Sequence, residues 1–450
     1  MILILLSWCY IFFTAVTFGI AFSKVMRIQL LDSTTTIFGL FSITVLGTLW
    51  AFFGPIGIIF HSILLTLSVL FWHKNKDAFT AIWQHTVSKI KSYPLPFKIL
   101  LAVSSFLILA QSAALPFIID NESYYIQTIK WLNEYGLVKG LANLHLFFGQ
   151  TSGWHITQSV YSFSFLYDRF NDLNGFCMLL LNFFAFESLH AYLTKGNRLD
   201  LVFGLLPLAY AFLFQFISSP SPDFPVYVFG FLVFSVYLQK DVNRDSFIFI
   251  SILALFAFFI KVTAVILLLF PFILLIRNFK VLKSTVLPLL TISFGVVLLF
   301  VLKNSMLTGY PLFPLLCFRL SELDYTVPNI IMDFFFSKSM LNSFYIDNSL
   351  FASASLTDLM KHYFLHNGMA GYIGILSVMM LLITPIVIIR NRFSKHLWII
   401  YFAFIALGGC FASVLHSTAF MFISRFSLYC CCSRFSFQAN VGFGLFGYMA

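Results

Sequence analysis

The sequence predicts an all-α, polytopic membrane protein with about twelve transmembrane segments. Of its 450 residues, 60% are hydrophobic and only 10% are charged. A water-soluble domain cannot bury that much apolar surface, so lipid has to be the solvent for most of it. The net charge of +10 comes from Lys and Arg in short runs between apolar stretches, where they set topology. We therefore do not expect a nucleic-acid partner.

A membrane-spanning helix needs about 20 predominantly apolar residues. By this measure the predicted spans are 2–22, 36–53, 55–72, 98–119, 174–194, 200–218, 224–239, 246–260, 262–276, 284–302, 371–389 and 397–415. The first stretch lacks a basic start and a small-residue cleavage site, so we expect a retained span. The predicted parts are N-terminal hairpins with a basic loop (1–97), a central module (98–303) with a long loop at 120–173, an extracytoplasmic segment (304–370), and C-terminal spans (371–450).

Basic residues occupy every second connection between these spans. The basic runs are Lys24 and Arg27, Lys74 to Lys98, Lys195 and Arg198, Lys240 and Arg244, Arg277 to Lys283, and Arg390 to Lys395. Since positive loops stay in the cytoplasm, the loops at 120–173 and 304–370 are predicted to lie outside. We expect a multi-pass protein of the bacterial inner membrane whose functional face is extracytoplasmic.

Two carboxylates, Asp120 and Glu122, follow directly on the span that ends at Ile119, in "LPFIIDNESYYIQTIKWLNEYG". After them, apolar side chains recur at spacings of three and four: Tyr125, Ile129, Leu132 and Tyr135. This pattern predicts a helix whose apolar face lies on the membrane surface. Asp120 either caps that helix or acts as a carboxylate at the membrane interface.

The next stretch, "GLVKGLANLHLFFGQTSGWH", is rich in polar side chains for an interfacial segment. Asn143, His145 and Trp154 combine hydrogen-bonding groups with an aromatic ring, which suits a sugar. The alternative is an ordinary irregular loop whose Trp is anchored among the lipid headgroups.

Asp223 and Lys261 are two further charged candidates. Asp223 ends the proline-rich turn "SSPSPD", which is predicted to lie on the same outer face as Asp120. Lys261 interrupts the apolar interval 246–276, where short, tilted or re-entrant helices are expected. An ammonium inside a membrane costs about 2.5–3.5 kcal/mol, so we expect an anionic partner: a lipid phosphate, Asp120 or Asp223. The alternative is a lysine that extends outward to the headgroups.

The stretch "KNSMLTGYPLFPLLCFRLSELDYTVP" opens the second outer segment. Tyr310 lies in a turn shaped by glycine and prolines, and Arg319 is suited to binding phosphate. The alternative is a solvated loop. The chain shows no metal-ligand pattern, so no metal site is predicted from the residues.

These segments together resemble a known group of proteins. "DNESYYIQTIKWLNEYGLVKGLANLH", "SSPSPD", "FIKVTA" and "GYPLFP" resemble a bacterial family of uncharacterised multi-spanning proteins, over about residues 98–330. The layout of an outer acid, an interfacial helix and a Phe-rich membrane frame resembles the GT-C superfamily of membrane glycosyltransferases. The sequence departs from the expected motifs at Tyr124 and Tyr125, and again at Phe147 and Phe148. It also departs after Arg425, so a shortened C-terminal part is expected.

The resemblance implies transfer of a sugar from a polyprenyl-phosphate donor to a glycan or lipid acceptor, outside the cytoplasm and with inversion. It implies that Asp120 is the general base or helps to hold a divalent metal. The implied substrate-binding residues are Glu122, Tyr124, Tyr125, Asn143, His145, Trp154, Asp223, Lys261, Tyr310 and Arg319. Two alternatives stay open, an O-antigen-type polysaccharide polymerase and a non-enzymatic lipid or polysaccharide transporter. The first predicts more outer Arg, and the second predicts broken, charged helices in two matched halves.

Overall fold

The structure, a computed structural model, describes residues 1–28, 32–116, 118–166, 171–205, 214–238 and 243–334, with single positions and short stretches between 355 and 401. These residues form helices, turns and loops, and none of them is in a strand. The chain divides into two compact units. The first unit is Met1–His190 with Leu205–Val327, and the second is Ala191–Gly204 with Pro328–Ala450.

The helices of the described residues are numbered in chain order. They begin with α1 (Ile2–Met26), α2 (Asp32–Ala51), α3 (Ile58–Lys74), α4 (Lys76–Ser92), α5 (Leu95–Ser112), α6 (Ile126–Glu134), α7 (Gly153–Val160) and α8 (Leu173–Lys195). These are followed by α9 (Arg198–Gly204), α10 (Asp223–Leu238), α11 (Arg244–Ile260), α12 (Leu269–Arg277) and α13 (Phe279–Thr308). A π-helical turn occupies Asn121–Tyr125, and 3₁₀ turns occupy Leu141–Asn143, Leu146–Gln150 and Val262–Leu268.

Length and composition identify the helices that can cross a membrane. Among the described residues these are Ile2–Met26, Thr34–Ala51, Leu95–Ser112, Leu173–Lys195 and Phe279–Thr308, and Ile58–Lys74, Asp223–Leu238 and Val262–Arg277 are shorter apolar segments. The helical class is therefore confirmed, and the apolar helices indicate a membrane protein. The count of twelve spans stays a prediction. The span expected at 397–415 falls largely outside the described residues, and those expected at 200–218 and 371–389 fall partly outside them.

Helix α11 lies at the centre of the first unit. From Phe247 to Ile260, every side chain except Ser251 is buried. The helix packs against α2, α7, α10 and α13. A helix that is apolar around its whole circumference is stable only when neighbours cover all of it. The end of α11 is thus held on several sides, and the residue that follows it, Lys261, has a defined position.

Helix α6 is present where the sequence predicts a helix, but its apolar face is covered by protein. Ile129 and Leu132 are only 3% and 2% exposed, and α6 packs against α7. Tyr135, at 57% exposed, is the member of the predicted face that stays open. The expectation that this face rests on the membrane surface is therefore wrong. The periodicity shows that an apolar face exists, whereas tertiary packing decides what covers it.

Candidate functional site

Lys261 and Asp223 form an ion pair at the end of α11. Lys261 follows the last residue of α11 in an extended conformation (φ −145°, ψ 120°), so the helix breaks where the sequence predicts it. Its Nζ donates to Oδ1 of Asp223, the first residue of α10. The two side chains are 25% and 20% exposed. Of the partners considered for Lys261, the structure selects Asp223, and both side chains remain partly exposed.

Asp120 lies close enough to this pair to interact with both charges. Partial burial raises the pKa of Asp120 and the Asp223 carboxylate raises it further, whereas the Lys261 ammonium and a hydrogen bond from Tyr125 lower it. The Asp120 side chain makes no capping hydrogen bond to the helical turn that follows it. The structure therefore brings Asp120, Asp223 and Lys261 together and does not support a capping role for Asp120.

Tyr124 and Tyr125 lie beside these charges in the π-helical turn. They are 8% and 2% exposed, and their ring centroids are 4.5 Å apart. The Tyr125 hydroxyl oxygen lies 3.4 Å from Oγ of Ser221. Burial raises the pKa of both tyrosines, so their hydroxyls stay protonated and can donate to carboxylates or ligand oxygens. Single π-helical turns within helices often occur at functional sites.

Asn174 holds the turn that carries Asp223, a role that was not predicted from the sequence. It is fully buried, and its Nδ2 donates to the carbonyl oxygens of Phe216, Ser219 and Ser221 at 2.8, 2.6 and 3.0 Å. Its Oδ1 accepts a hydrogen bond of 2.6 Å from Nε1 of Trp154. An asparagine at the start of an apolar span has no distinctive pattern, so no sequence signal could have found it.

Trp154 and Tyr310 are buried, which differs from the ligand-facing positions expected for them. Trp154 is 0% exposed, with its ring against Phe229 and Phe256 at centroid distances of 6.1 and 6.4 Å. Because neither face of the indole is open, Trp154 does not provide a stacking surface in this structure. Tyr310 is 1% exposed and its hydroxyl donates to the Val327 carbonyl oxygen at 3.1 Å, so it braces a loop.

Glu122 and Arg319 are exposed and make no described contact with the charged cluster. Oε1 of Glu122 accepts a hydrogen bond of 3.2 Å from Nδ2 of the adjacent Asn121, a buried residue. Asn121 in turn accepts from Ser219 Oγ at 3.4 Å. Asn121 and Ser219 thus link the π-helical turn to the proline-rich turn, and neither residue was predicted from the sequence.

Asn143 and His145 are also exposed, on the loop after α6. Nδ2 of Asn143 donates to the Tyr325 carbonyl oxygen at 2.5 Å, which ties two loops together. The His145 ring lies 5.5 Å from the Phe147 ring, which stacks on Tyr124 at 5.0 Å. His145 therefore reaches the charged cluster only through the ring contacts of Phe147 with Tyr124. Asn143 instead holds two loops together through its hydrogen bond to Tyr325.

His155 is buried beside the two tyrosines, and the buried Lys303 lies close enough to His155 to act on it electrostatically. His155 is 0% exposed, with its ring 5.3 Å from the Tyr125 ring. Its Nδ1 accepts from the Ser152 N–H at 3.3 Å, so the neutral ring carries its proton on Nε2, which has no partner among the described residues. Burial and the Lys303 charge lower the pKa of His155 to about 3.

Lys303, at 2% exposed, donates through Nζ to the Thr151 carbonyl oxygen at 2.5 Å and to Asn304 Oδ1 at 2.6 Å. It follows directly on a predicted span and therefore resembles an interfacial lysine in sequence, which is why its burial was not predicted.

The residues at this site do not fit a divalent metal. Within the part of the chain that the structure describes, no group of three or more His, Cys, Asp or Glu side chains is arranged to hold a metal ion. Mg²⁺ and Ca²⁺ prefer several oxygen ligands, whereas Asp223 is already paired with an ammonium.

Fold and site together define the class: a helical membrane protein with a cluster of two carboxylates, two tyrosines and a lysine at the broken end of its central helix. The chain belongs to the family described as Domain of unknown function (DUF8201), which it matches over residues 1–428. No curated protein and no solved structure matches it.

Proposed function

We propose that the protein is a membrane glycosyltransferase that moves a sugar from a polyprenyl-phosphate donor to an acceptor hydroxyl on the extracytoplasmic side. One observation carries this proposal: Asp120 lies beside the Lys261–Asp223 ion pair and its pKa is raised. The site therefore offers a base and a cation next to each other, which are the two groups that such a transfer needs.

Asp120 is the proposed general base. Its side chain is exposed, so an acceptor hydroxyl can reach it from water or from the membrane surface. In the reaction the acceptor oxygen bonds to the anomeric carbon of the sugar, and the hydroxyl proton passes to Asp120. A carboxylate whose pKa is raised towards the working pH is a stronger base for this step.

Lys261 is the proposed stabiliser of the leaving group. The bond between the anomeric carbon and the phosphate oxygen breaks, and the polyprenyl phosphate leaves with the electron pair. An ammonium has three N–H donors, and Asp223 Oδ1 uses one of them. The remaining donors can bind the phosphate oxygens while Asp223 holds the lysine in place.

The test compares wild-type protein with Asp120→Asn, and with Glu122→Gln as the matched control. Each purified, full-length protein is reconstituted in lipid nanodiscs with polyprenyl-phosphate monosaccharides and membrane-derived acceptor. Sugar transfer and released polyprenyl phosphate are measured. Loss of a general base lowers the rate by roughly 10²–10⁴, so Asp120→Asn should be almost inactive and Glu122→Gln close to wild type.

Full activity of Asp120→Asn with loss of activity in Glu122→Gln would show that the wrong carboxylate has been assigned. Normal activity of both variants would remove the chemical support for a glycosyltransferase. A parallel experiment reconstitutes wild-type protein in vesicles with a labelled polyprenyl-phosphate sugar. Movement of that lipid across the bilayer without release of polyprenyl phosphate would favour the transporter alternative.

A further inference from the structure

Helix α4 is amphipathic and none of its residues is buried. Its apolar side packs against α1. The ring centroids of Phe79 on α4 and Phe13 on α1 are 6.1 Å apart, and those of Trp83 on α4 and Phe12 on α1 are 6.2 Å apart. Trp83 nevertheless remains 54% exposed. Helix α4 therefore carries an apolar edge that the rest of the protein only partly covers.

Positive charge surrounds this edge. The lysines on α4 and its flanks are Lys74, Lys76, Lys89, Lys91 and Lys98, against one acid, Asp77. Lys89 is paired with Glu187 at 2.5 Å, and Lys76 Nζ lies 5.2 Å from the Trp72 ring centroid. Lys74, Lys91 and Lys98 have no acidic partner in the part of the chain that the structure describes.

The helical geometry places the tryptophan and two of these lysines together. At 3.6 residues per turn, Lys76, Trp83 and Lys91 fall within about 80° of the helix circumference. Lysines whose ammonium groups reach water beside a half-exposed tryptophan are typical of side chains at a membrane–water interface.

The connections of α4 restrict where it can lie. It begins two residues after Lys74, the end of the apolar helix α3, and it ends three residues before Leu95, the start of α5. Helix α5 is long and apolar enough to cross a membrane. A helix joined this tightly to apolar helices at both ends cannot move far from the bilayer surface.

We propose that α4 lies in the membrane interface, and that its Lys76 and Lys91, together with Lys74 at the end of α3, bind the headgroups of anionic phospholipids. Its charge is complementary to those headgroups, and its exposed Trp83 suits the boundary between headgroups and acyl chains. This site is separate from the charged cluster, and the proposal does not depend on the proposed function.

The test uses full-length protein in nanodiscs of phosphatidylcholine alone or with one quarter phosphatidylglycerol. Native mass spectrometry counts the bound phosphatidylglycerol. The variants are a triple Lys→Gln change at positions 74, 76 and 91, and a matched triple Lys→Arg change that keeps the charge. Each lysine near an anionic surface strengthens binding about fivefold. For three lysines this multiplies to roughly a hundredfold in affinity, so the Gln variant should retain far less phosphatidylglycerol than wild type, and the Arg variant should retain as much.

Two further measurements keep the result interpretable. Melting temperatures in pure phosphatidylcholine should match for all three proteins, which shows that the Gln variant is folded. Bromine-labelled lipid should quench wild-type tryptophan fluorescence more than that of Trp83→Phe. Equal phosphatidylglycerol retention by the Gln variant, or equal quenching of Trp83→Phe, would overturn the proposal and favour a protein partner for α4.

Discussion

The Lys261 ammonium donates to the Asp223 carboxylate, which joins the broken end of α11 to the first turn of α10. The two residues are 38 positions apart in the chain. Asp223 is the first residue of α10, where the helix dipole also stabilises a carboxylate. Asp223 compensates the charge of Lys261 while the ammonium stays protonated, and the proposed site is built on this pair.

The pair should contribute measurably to stability. Both side chains are less than a third exposed, so its coupling should lie between that of surface and buried pairs, at roughly 1–3 kcal/mol. Lys261→Met and Asp223→Asn should each lower the melting temperature in detergent, and the double variant should lose less than the sum of both. Strict additivity would show that the two charges do not interact in solution.

The pH dependence of transfer should report on Asp120. A general base works when deprotonated, so activity should fall as the pH drops through the raised pKa of Asp120. The Lys261 charge lowers that pKa, so Lys261→Met should move the acid limb of kcat/KM to higher pH. The Asp223 charge raises it, so Asp223→Asn should move the limb to lower pH. Shifts in the same direction for both variants would contradict this arrangement.

Asn174→Asp should be strongly destabilising. The substitution keeps the shape but removes the N–H donors to the buried carbonyl oxygens of Ser219 and Ser221 and to the partly buried one of Phe216. Each unsatisfied buried group costs about 1–3 kcal/mol, so a loss of at least roughly 2 kcal/mol is expected in thermal unfolding. The matched control is Asn143→Asp, whose carbonyl partners lie at an exposed position where water can replace the lost donor. Similar losses in both variants would show that burial is not the cause.

Gly153→Ala should disturb the contact between α7 and α11. A Cβ at this position would lie 2.6 Å from Cδ1 of Phe259, two residues before Lys261. Overpacking of this kind lowers the free energy of unfolding by about 1–3 kcal/mol. Because Phe259 has to move to make room, Lys261 should move with it, and transfer activity should fall. The matched control is Gly295→Ala on α13, where a Cβ would meet nothing within 4 Å. A stable, fully active Gly153→Ala variant would show that this contact does not position Lys261.

Local features of the chain were predictable because they depend on residues close in sequence. Composition and hydrophobic runs predict the helical membrane class, and the lone Lys261 in an apolar interval predicts the helix break. The acid that follows a span identifies Asp120 as a candidate for the same reason. None of these predictions needs knowledge of what lies next to the residue in space.

Only the tertiary structure decides which distant residues meet. It selects Asp223 as the partner of Lys261, buries Trp154 and Tyr310, and covers the apolar face of α6. It also assigns the support of the Asp223 turn to Asn174. These contacts arise from packing around α11, and a buried polar side chain takes whichever partner that packing brings within hydrogen-bond distance.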